Sequence, residues 1–465
     1  RSKNNYSNSR LLFLLFAFVL GLSFSNHLTT ILLAPAFLYL FFNTFGFREQ
    51  AWKKILAMIF PFLLGLSVYL YLPIRSSQNP SFDWGHPATL EKFLWHVRGK
   101  QFSVWIFSSM EVAKRQLSYF LSHLPAEFAY TGLFLAIIGI VGVRKKKIIL
   151  MFTALLFIGC VIYSINYDIH DIDSYFLLAY YVVAIWAAFG IQFFLNRFDQ
   201  KKSANKQQKK ESKNWKISVA CIVFSLLPLP FHYSNVDESE NFLVEDYTKS
   251  ILNNVEQNAI IISYQWDYFV SASLYYQTIE HIRPDVVVID KELLRRSWYF
   301  TQMQKRYPWL VQNSRKEIDA FLIELDKFEH NSPYDNYTIE MRYIELIKSF
   351  MTNNSGHPLY ITPEIEAEYT QGFQRIPSGL TFRLIPEGEN PPPVKAKIFP
   401  YRAIEKQGIM FDAIKDFYVR SYINQVMFMA KEGNTNEALL VTNEALRINP
   451  QKREALWMRG QLEGK

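Results

Sequence analysis

The stretch "LLFLLFAFVLGLSFSNHLTTILLAPAFLYLFFN", residues 11–43, decides how this chain folds. It is too long for one ordinary membrane span, which takes about 20 apolar residues. Ser25, Asn26, His27, Thr29 and Thr30 also interrupt its middle. One long tilted helix and two short helices meeting at "SNH" both fit the composition, and charge chooses between them. Arg1, Lys3 and Arg10 precede the run, and Arg48, Lys53 and Lys54 follow it. Basic residues favour the cytoplasmic side of a membrane, so both ends belong there. The run is therefore a hairpin, with spans at 11–25 and 28–43.

Working outward, further apolar runs lie at 54–72, 124–143, 148–166 and 174–195, with a shorter one at 217–232. The parity set by the hairpin then holds along the chain. Loop 44–53 is cytoplasmic, 73–123 external, and "RKKK" (144–147) cytoplasmic. "YDIHDID" (167–173), with three Asp and no Lys or Arg, is external, and the basic segment 196–216 returns to the cytoplasm. Everything after 232 is external, so "SNH", residues 71–87, "YDIHDID" and the C-terminal half are expected to meet at one membrane face.

Composition agrees with a split chain. Of 465 residues 50% are hydrophobic and 16% aromatic, yet the mean hydropathy is −0.01, because a membrane-like first half is averaged with a soluble second half. The net charge of +8 sits in short loops between apolar runs, which points to membrane orientation rather than to nucleic acid. Cys160 and Cys221 lie inside apolar runs, where free cysteine packs as a small hydrophobe. The chain starts at Arg1 without an initiator Met or a signal peptide, and a preceding N-terminal section is expected.

Residues 233–400 read as an external α/β domain. "AIIISY" (259–264) and "DVVVID" (285–290) have the β-branched character of buried parallel strands, and "PLYITP" (358–363) and "LTFRLIP" (380–386) are further strands. No glycine-rich phosphate loop follows the first two, which weighs against a nucleotide site. In the tail, 401–465, Gly433, Ala438, Ala445 and Pro450 have the spacing of the second half of a tetratricopeptide repeat. The preceding helix, 413–431, lacks the usual aromatic and glycine pattern. The tail is either a repeat or a docked helical cap. The fold class is thus a polytopic α-helical membrane domain (1–232), an external α/β domain and a short tetratricopeptide-like helical tail.

The polar candidates are few. Arg75 stands just outside an apolar run on the external side, either as a snorkelling interfacial arginine or as a clamp for a lipid phosphate. Asp83, Trp84 and His86 lie between Pro80 and Pro87. They form either a rigid turn with an interfacial tryptophan, or a site in which Trp84 stacks on a sugar while Asp83 or His86 handles a proton. Residues 89–100 read as a helix lying along the membrane surface, with His96 assigned to anchoring rather than chemistry. Asn26 and His27 fall at the hairpin apex, where polar groups are functional candidates by default. Asp168, His170, Asp171 and Asp173 make an acidic loop whose composition suits a divalent cation, without a recognised metal spacing.

Four segments carry a family resemblance. "GLSFSNHLTTILLAPA" (21–36), "YLYLPIRSSQNPSFDWGHPATLEKFLWHVRGKQF" (69–102), "DIDSYFLLAY" (171–180) and "NAIIISYQWDYFVSASLYYQTIEHIRPDVVVIDKELLRRSWY" (258–299) resemble bacterial, Bacteroidota-type protein O-mannosyltransferase-like membrane proteins. That family is grouped with the GT-C glycosyltransferases. The resemblance implies a polyprenyl-phosphate sugar donor, exported proteins as acceptors, no nucleotide cofactor, and a site at the external face of a bacterial inner membrane. It also implies a catalytic acid in an early external loop, in a Trp-Asp-Ser-Gly-Glu-type motif, and neither that motif nor the His-Pro-Pro-Gly-type stretch after it is present. The base is therefore expected upstream of Arg1. After the first strand the family often shows a Gly-Asp-Asn-Asp-type sequence, where this chain has "SYQWDYF" and keeps Asp267.

The leading expectation is a glycosyltransferase moving a sugar, mannose by resemblance, from a lipid phosphate to Ser or Thr hydroxyls. Arg75, Asp83, Trp84, His86, Asn26 and His27 are its donor-site candidates, and Asp171, Asp173 and Asp267 are secondary ones. The alternative is a membrane scaffold, or one part of a split enzyme, that recruits cell-envelope proteins through the tail.

Overall fold

His27 ends the first helix. Its backbone is extended (φ −151°, ψ 132°), and its ring accepts the Thr29 N–H, so α1 (Ser2–Asn26) stops there. A 3-10 turn, Leu28–Leu33, follows and leads into α2 (Ala34–Phe45). The two helices run back along each other, with the Phe13 and Phe45 rings 5.6 Å apart and Phe16 and Phe37 5.2 Å apart. The computed structural model describes residues 2–203, 215–404, 406 and 408–464. Two units divide the chain, Arg1–Val236 and Asp237–Lys465.

In the first unit α3 (Glu49–Leu66) continues through a 3-10 turn into α4 (Tyr71–Ser77). After a loop come α5 (Leu90–Val97), α6 (Met110–Glu127), α7 (Thr131–Val143), α8 (Lys147–Ile165), α9 (Leu177–Ser203), α10 (Trp215–Leu226) and α11 (Pro228–Val236). Among the described residues, four helical stretches are long and apolar enough to cross a membrane: Leu28–Phe45, Glu49–Ser77, Lys147–Ile165 and Ile172–Leu195. The bent pair α6 and α7 makes a fifth if it is one span. The expected single span at 124–143 is instead broken by a bend of 100°. Pro125 sits in the last turn of α6, and Ala129 and Tyr130 take positive φ (44° and 59°), which no helix accommodates. The run 217–232 is likewise divided, between α10 and α11.

Glycine sets the spacing of this unit. A Cβ on Gly21 of α1 would lie 2.1 Å from the Phe62 carbonyl oxygen, and one on Gly65 of α3 would lie 2.2 Å from the Phe18 oxygen. The pair α7 and α9 is built the same way. Gly139 faces the Trp186 oxygen at 1.7 Å and Gly190 faces the Leu135 oxygen at 2.0 Å. Lipid supplies no hydrophobic drive between helices, so contact area has to come from backbones brought close by small residues. Beside the second contact Trp186 Nε1 donates to Thr153 Oγ1 at 2.9 Å, and Ala136, Leu156, Val182 and Val183 close around them.

The second unit is an α/β/α sandwich. After α12 (Leu243–Asn254) come β1 (Ile260–Ser263), α13 (Ser271–Thr278) and β2 (Val287–Asp290). Then follow α14 (Ser297–Arg306), α15 (Pro308–Asn313), α16 (Arg315–Glu329), α17 (Asn336–Thr352), β3 (Leu359–Ile361), β4 (Phe373–Ser378) and β5 (Thr381–Pro386). The chain ends in α18 (Ile409–Lys431), α19 (Thr435–Ile448) and α20 (Arg453–Glu463). The strand order is β2-β1-β3-β5-β4, parallel among the first three and antiparallel beyond. Alternate residues of each strand face opposite sides. Ile260, Ile262, Val287 and Ile289 pack with α14–α17, and Ile261, Val288 and Tyr360 pack on the other side.

That other side is covered by α12 and by the tail. Tyr418, Tyr422, Val426 and Met429 of α18 are buried in one core with Tyr247 and Ile251, together with Ala438 and Ala445 of α19. Gly433 (φ +83°) makes the turn between α18 and α19. The tail, expected as either a repeat or a docked helical cap, thus shares one core with the α/β unit. Arg402 holds the strap leading to it, with a two-pronged bond to the buried Asp246 of α12 (2.6 and 2.9 Å).

Candidate functional site

A cavity of about 590 Å³ lies where several apolar helices of the first unit end. Its walls are tyrosines drawn from distant segments: Tyr69 from the turn between α3 and α4, Tyr71 from the start of α4, Tyr163 from α8, and Tyr167 and Tyr175 from the loop after it. The rings of Tyr167 and Tyr175 meet edge to face at 4.9 Å, and Tyr163 lies 6.2 and 6.3 Å from them. Tyr69 is fixed by its hydroxyl, which donates to the Phe24 carbonyl at 3.0 Å. Ser25, Asn26, His27 and Thr29 of the α1–α2 turn line the same cavity, as do His96 and Arg98 at the end of α5.

Backbone geometry fixes what His27 can do. Its Nδ1 accepts the Thr29 N–H at 3.2 Å, so in the neutral ring the proton sits on Nε2. Nδ1 also lies 2.7 Å from the Thr29 hydroxyl, so Thr29 occupies this side of the ring. Its ring also meets Tyr175 edge to face, 6.2 Å between centroids. His96 is half-buried, and burial lowers its pKa, so it is neutral at neutral pH. Arg98 is exposed, and its guanidinium has no hydrogen-bond or ion-pair partner among the described residues. Gly99, at φ +62°, turns the chain sharply after it. No carboxylate is among the residues lining this cavity.

The segment 71–87 plays a different part. Arg75 is exposed in the last turn of α4, and its Nη1 donates to Gln78 Oε1 at 2.8 Å. Asp83, 8% exposed, accepts from the Ser76 hydroxyl at 2.9 Å and pairs with His86 Nδ1 at 2.6 Å, both on Oδ2. Serine donates to the carboxylate here, so the three side chains are not a hydrolytic triad. They form a buckle that closes residues 76–86. It holds the strained backbone of His86 (φ +44°), which follows Gly85 at φ +78°. Gly85 in turn lies against His96, where an added Cβ would be 3.2 Å from Nδ1. Trp84 is 40% exposed. Of the six donor-site candidates, Asn26 and His27 line the cavity, and Arg75, Asp83, Trp84 and His86 do not.

Two acids of the loop are committed to structural bonds. Asp168 pairs with Arg115 at 2.6 Å, and Asp173 accepts the Tyr119 hydroxyl at 2.7 Å. Asp171 and His170 are exposed. The Phe107 N–H donates to the Asn166 carbonyl at 2.7 Å and the Asp168 N–H to the Trp105 carbonyl at 2.9 Å, tying this loop to 105–107. Among the described residues no three His, Cys, Asp or Glu side chains converge as a metal set. What this loop contributes to the cavity is Tyr167 and Tyr175. The spacing of Tyr163 and Tyr167, one helical turn apart, was the available signal, and it was overshadowed by the acids around it.

In the second unit Asp267 is exposed, in a turn just after β1. The carboxyl ends of the parallel strands are where α/β sheets bind ligands, but here that place is filled. Lys291, 3% exposed, spans both oxygens of Glu366 at 3.1 Å and also meets Glu292 at 3.1 Å. Gln265 donates to Glu364 at 2.5 Å and accepts the Tyr247 hydroxyl at 2.9 Å.

Beside them burial pushes the Asp290 carboxyl up to about 6, against the 2.8 Å bond it accepts from the Leu293 N–H. An unfolded Asp titrates near 3.9, so the folded chain holds the proton more tightly. Stability therefore falls as pH rises from about 4 to about 6 and stays reduced above that. Asp290→Asn keeps the acceptor for Leu293. It is expected to stabilise the protein by up to about 3 kcal/mol above pH 7 and to change little near pH 4. Thermal unfolding at both pH values checks this, and an unchanged midpoint above pH 7 would count against it.

Residues 244–316 match the family described as TMEM260-associated domain 2. The chain is similar to a mouse protein named protein O-mannosyl-transferase TMEM260, 24% identical over 310 residues, covering 63% of this chain and 43% of the relative. It is also similar to the Dictyostelium discoideum protein of that name, 24% identical over 413 residues, covering 81% of this chain and 47% of the relative. The chain thus spans less than half the length of either relative. No solved structure matches it.

Proposed function

We propose that this chain is the donor-binding part of a membrane enzyme that moves a mannosyl group from a polyprenyl phosphate to Ser or Thr hydroxyls of exported proteins. The observation that carries the reading is one cavity, at the ends of apolar helices, that pairs a tyrosine wall with an unpartnered arginine. The two relatives are named protein O-mannosyl-transferases, which supports the reaction class.

The chemistry follows from the side chains. Tyrosine faces offer stacking surface to the apolar face of a sugar, and their hydroxyls bond its rim. As the glycosyl bond breaks, negative charge builds on the departing phosphate, and the Arg98 guanidinium matches phosphate oxygens in two-pronged fashion. His27 adds a ring nitrogen, Nε2, that can hydrogen-bond a ligand oxygen. The proton of the attacking hydroxyl needs a base, which the GT-C resemblance assigns to an acidic loop. The asymmetry of the basic loops supports placing cavity and second unit on the external side, periplasmic for a bacterial inner membrane.

The missing carboxylate in the cavity wall favours one second reading, a platform that binds the lipid-linked sugar without turning it over. Binding and turnover separate the two. Purified protein is expected to bind a radiolabelled short-chain polyprenyl-phosphate mannose, with Tyr175→Ala weakening binding about tenfold or more. Tyr181→Ala, on the exposed side of α9, is expected to leave it unchanged. Equal binding by the wild type and Tyr175→Ala would sink the assignment. Binding without transfer to a serine-containing peptide, with protein expressed from its native gene, would select the platform.

A further inference from the structure

We infer that the second unit carries a groove for an extended, acidic polypeptide, formed by α18, the start of α20 and the β4–β5 hairpin. It rests on the transferase reading only in taking protein as the natural occupant. The groove is a cavity of about 420 Å³.

Its charges are unevenly matched. Lys452 Nζ reaches Asp416 Oδ1 at 3.1 Å, and Arg420 Nε pairs with the other oxygen of the same carboxylate, so one anion answers two cations. Arg375, on β4, spends its guanidinium on neutral acceptors, the carbonyls of Ile365 and Glu366 at 2.7 and 2.6 Å and the Thr370 hydroxyl. Glu454 is the one carboxylate among the lining residues, which leaves the groove with a net positive wall.

The second feature is Asn424. Its side chain lines the groove half-buried, and its carboxamide has no hydrogen-bond partner among the described residues. A carboxamide offers two donors and an acceptor, the complement of a peptide unit. One turn of α18 separates it from Arg420, so an amide and a cation are presented side by side along the helix. Phe382 and Ile423 supply an apolar seat next to them. A small anion would use the cations and leave the amide and the apolar seat idle. A nucleic acid would need a wider basic field than this. An extended chain that alternates a backbone amide, a carboxylate and an apolar side chain uses all three.

Fluorescence anisotropy on the full chain in detergent tests this with two short labelled peptides, one alternating Glu with Val and Thr and one with Gln in place of Glu. The Glu peptide is expected to bind, to weaken with added salt, and to bind about tenfold more tightly than the Gln peptide. Arg420→Gln, at an exposed position that disturbs no core residue, is expected to weaken the Glu peptide selectively. Asn424→Ala is expected to weaken both peptides. Absence of binding, equal affinity for the two peptides, or wild-type affinity in both variants would overturn the proposal. Full competition by free glutamate at matched concentration would overturn it in favour of a small-anion site. Donor binding by the first unit is measured separately, so loss of peptide binding with donor binding intact sinks this groove alone.

Discussion

Replacing Gly139 by leucine is expected to leave the protein unable to assemble its first unit. The new Cβ alone would sit 1.7 Å from the Trp186 carbonyl oxygen, a backbone atom that no side-chain rotation can move. Relief requires α7 and α9 to separate, which opens the reciprocal contact at Gly190 and pulls Trp186 off the Thr153 hydroxyl. Ordinary overpacking costs roughly 1–3 kcal/mol, and a main-chain collision at a helix crossing exceeds that. Fluorescence-detected size exclusion should show aggregate or no protein for Gly139→Leu and a loss already in Gly139→Ala, which carries the same clashing Cβ. Gly159→Leu is the control, because the nearest atom to its added Cβ is 3.8 Å away. A monodisperse peak at wild-type yield from Gly139→Leu would refute the packing argument.

Arg98→Ala should cost most of the donor affinity while Arg75→Ala costs almost none. A charge-assisted bond to phosphate contributes roughly 1.5–3 kcal/mol, so the expected loss is about 10- to 100-fold in Kd. Arg75 is held by Gln78 and is not among the residues lining the cavity, so its removal should stay within about twofold. Arg98→Lys keeps the charge without the fork and should fall between. The loss should track the phosphate: a mannoside lacking it should bind wild type and Arg98→Ala alike. Equal affinity of Arg98→Ala and wild type for the lipid-linked sugar would remove the arginine from the site. A large loss in Arg75→Ala would return that role to the earlier position.

These two arginines show where sequence reading runs out. Both follow apolar helical residues, and nothing local separates them. What does is the partner each meets after folding, Gln78 for one and the cavity for the other. The Asp83–His86 pair was legible as a rigid turn, and its contact with His96 through Gly85 was not, because it joins residues on separate elements. Apolar runs and β-branched stretches were visible from composition, and β1, β2, β3 and β5 fall within runs read as strands. β4, "FQRIPS", was invisible: Gln374, Arg375 and Pro377 break any apolar alternation on this edge strand. The 100° break before α7 was hidden too, since hydropathy continues across Ala129 and Tyr130 while the backbone does not.

The sheet face carrying Ile261, Val288 and Tyr360 is closed by side chains of α18, α19 and α20. Those strands leave the ribosome long before residues 409–463 exist. The part of the face that α12 leaves open must wait through the synthesis of everything between, and such delays are when newly made chains aggregate. A chain stopped at residue 400 would carry the whole sheet and still be a poor domain. Until α18, α19 and α20 dock, that part of the sheet stays open to solvent.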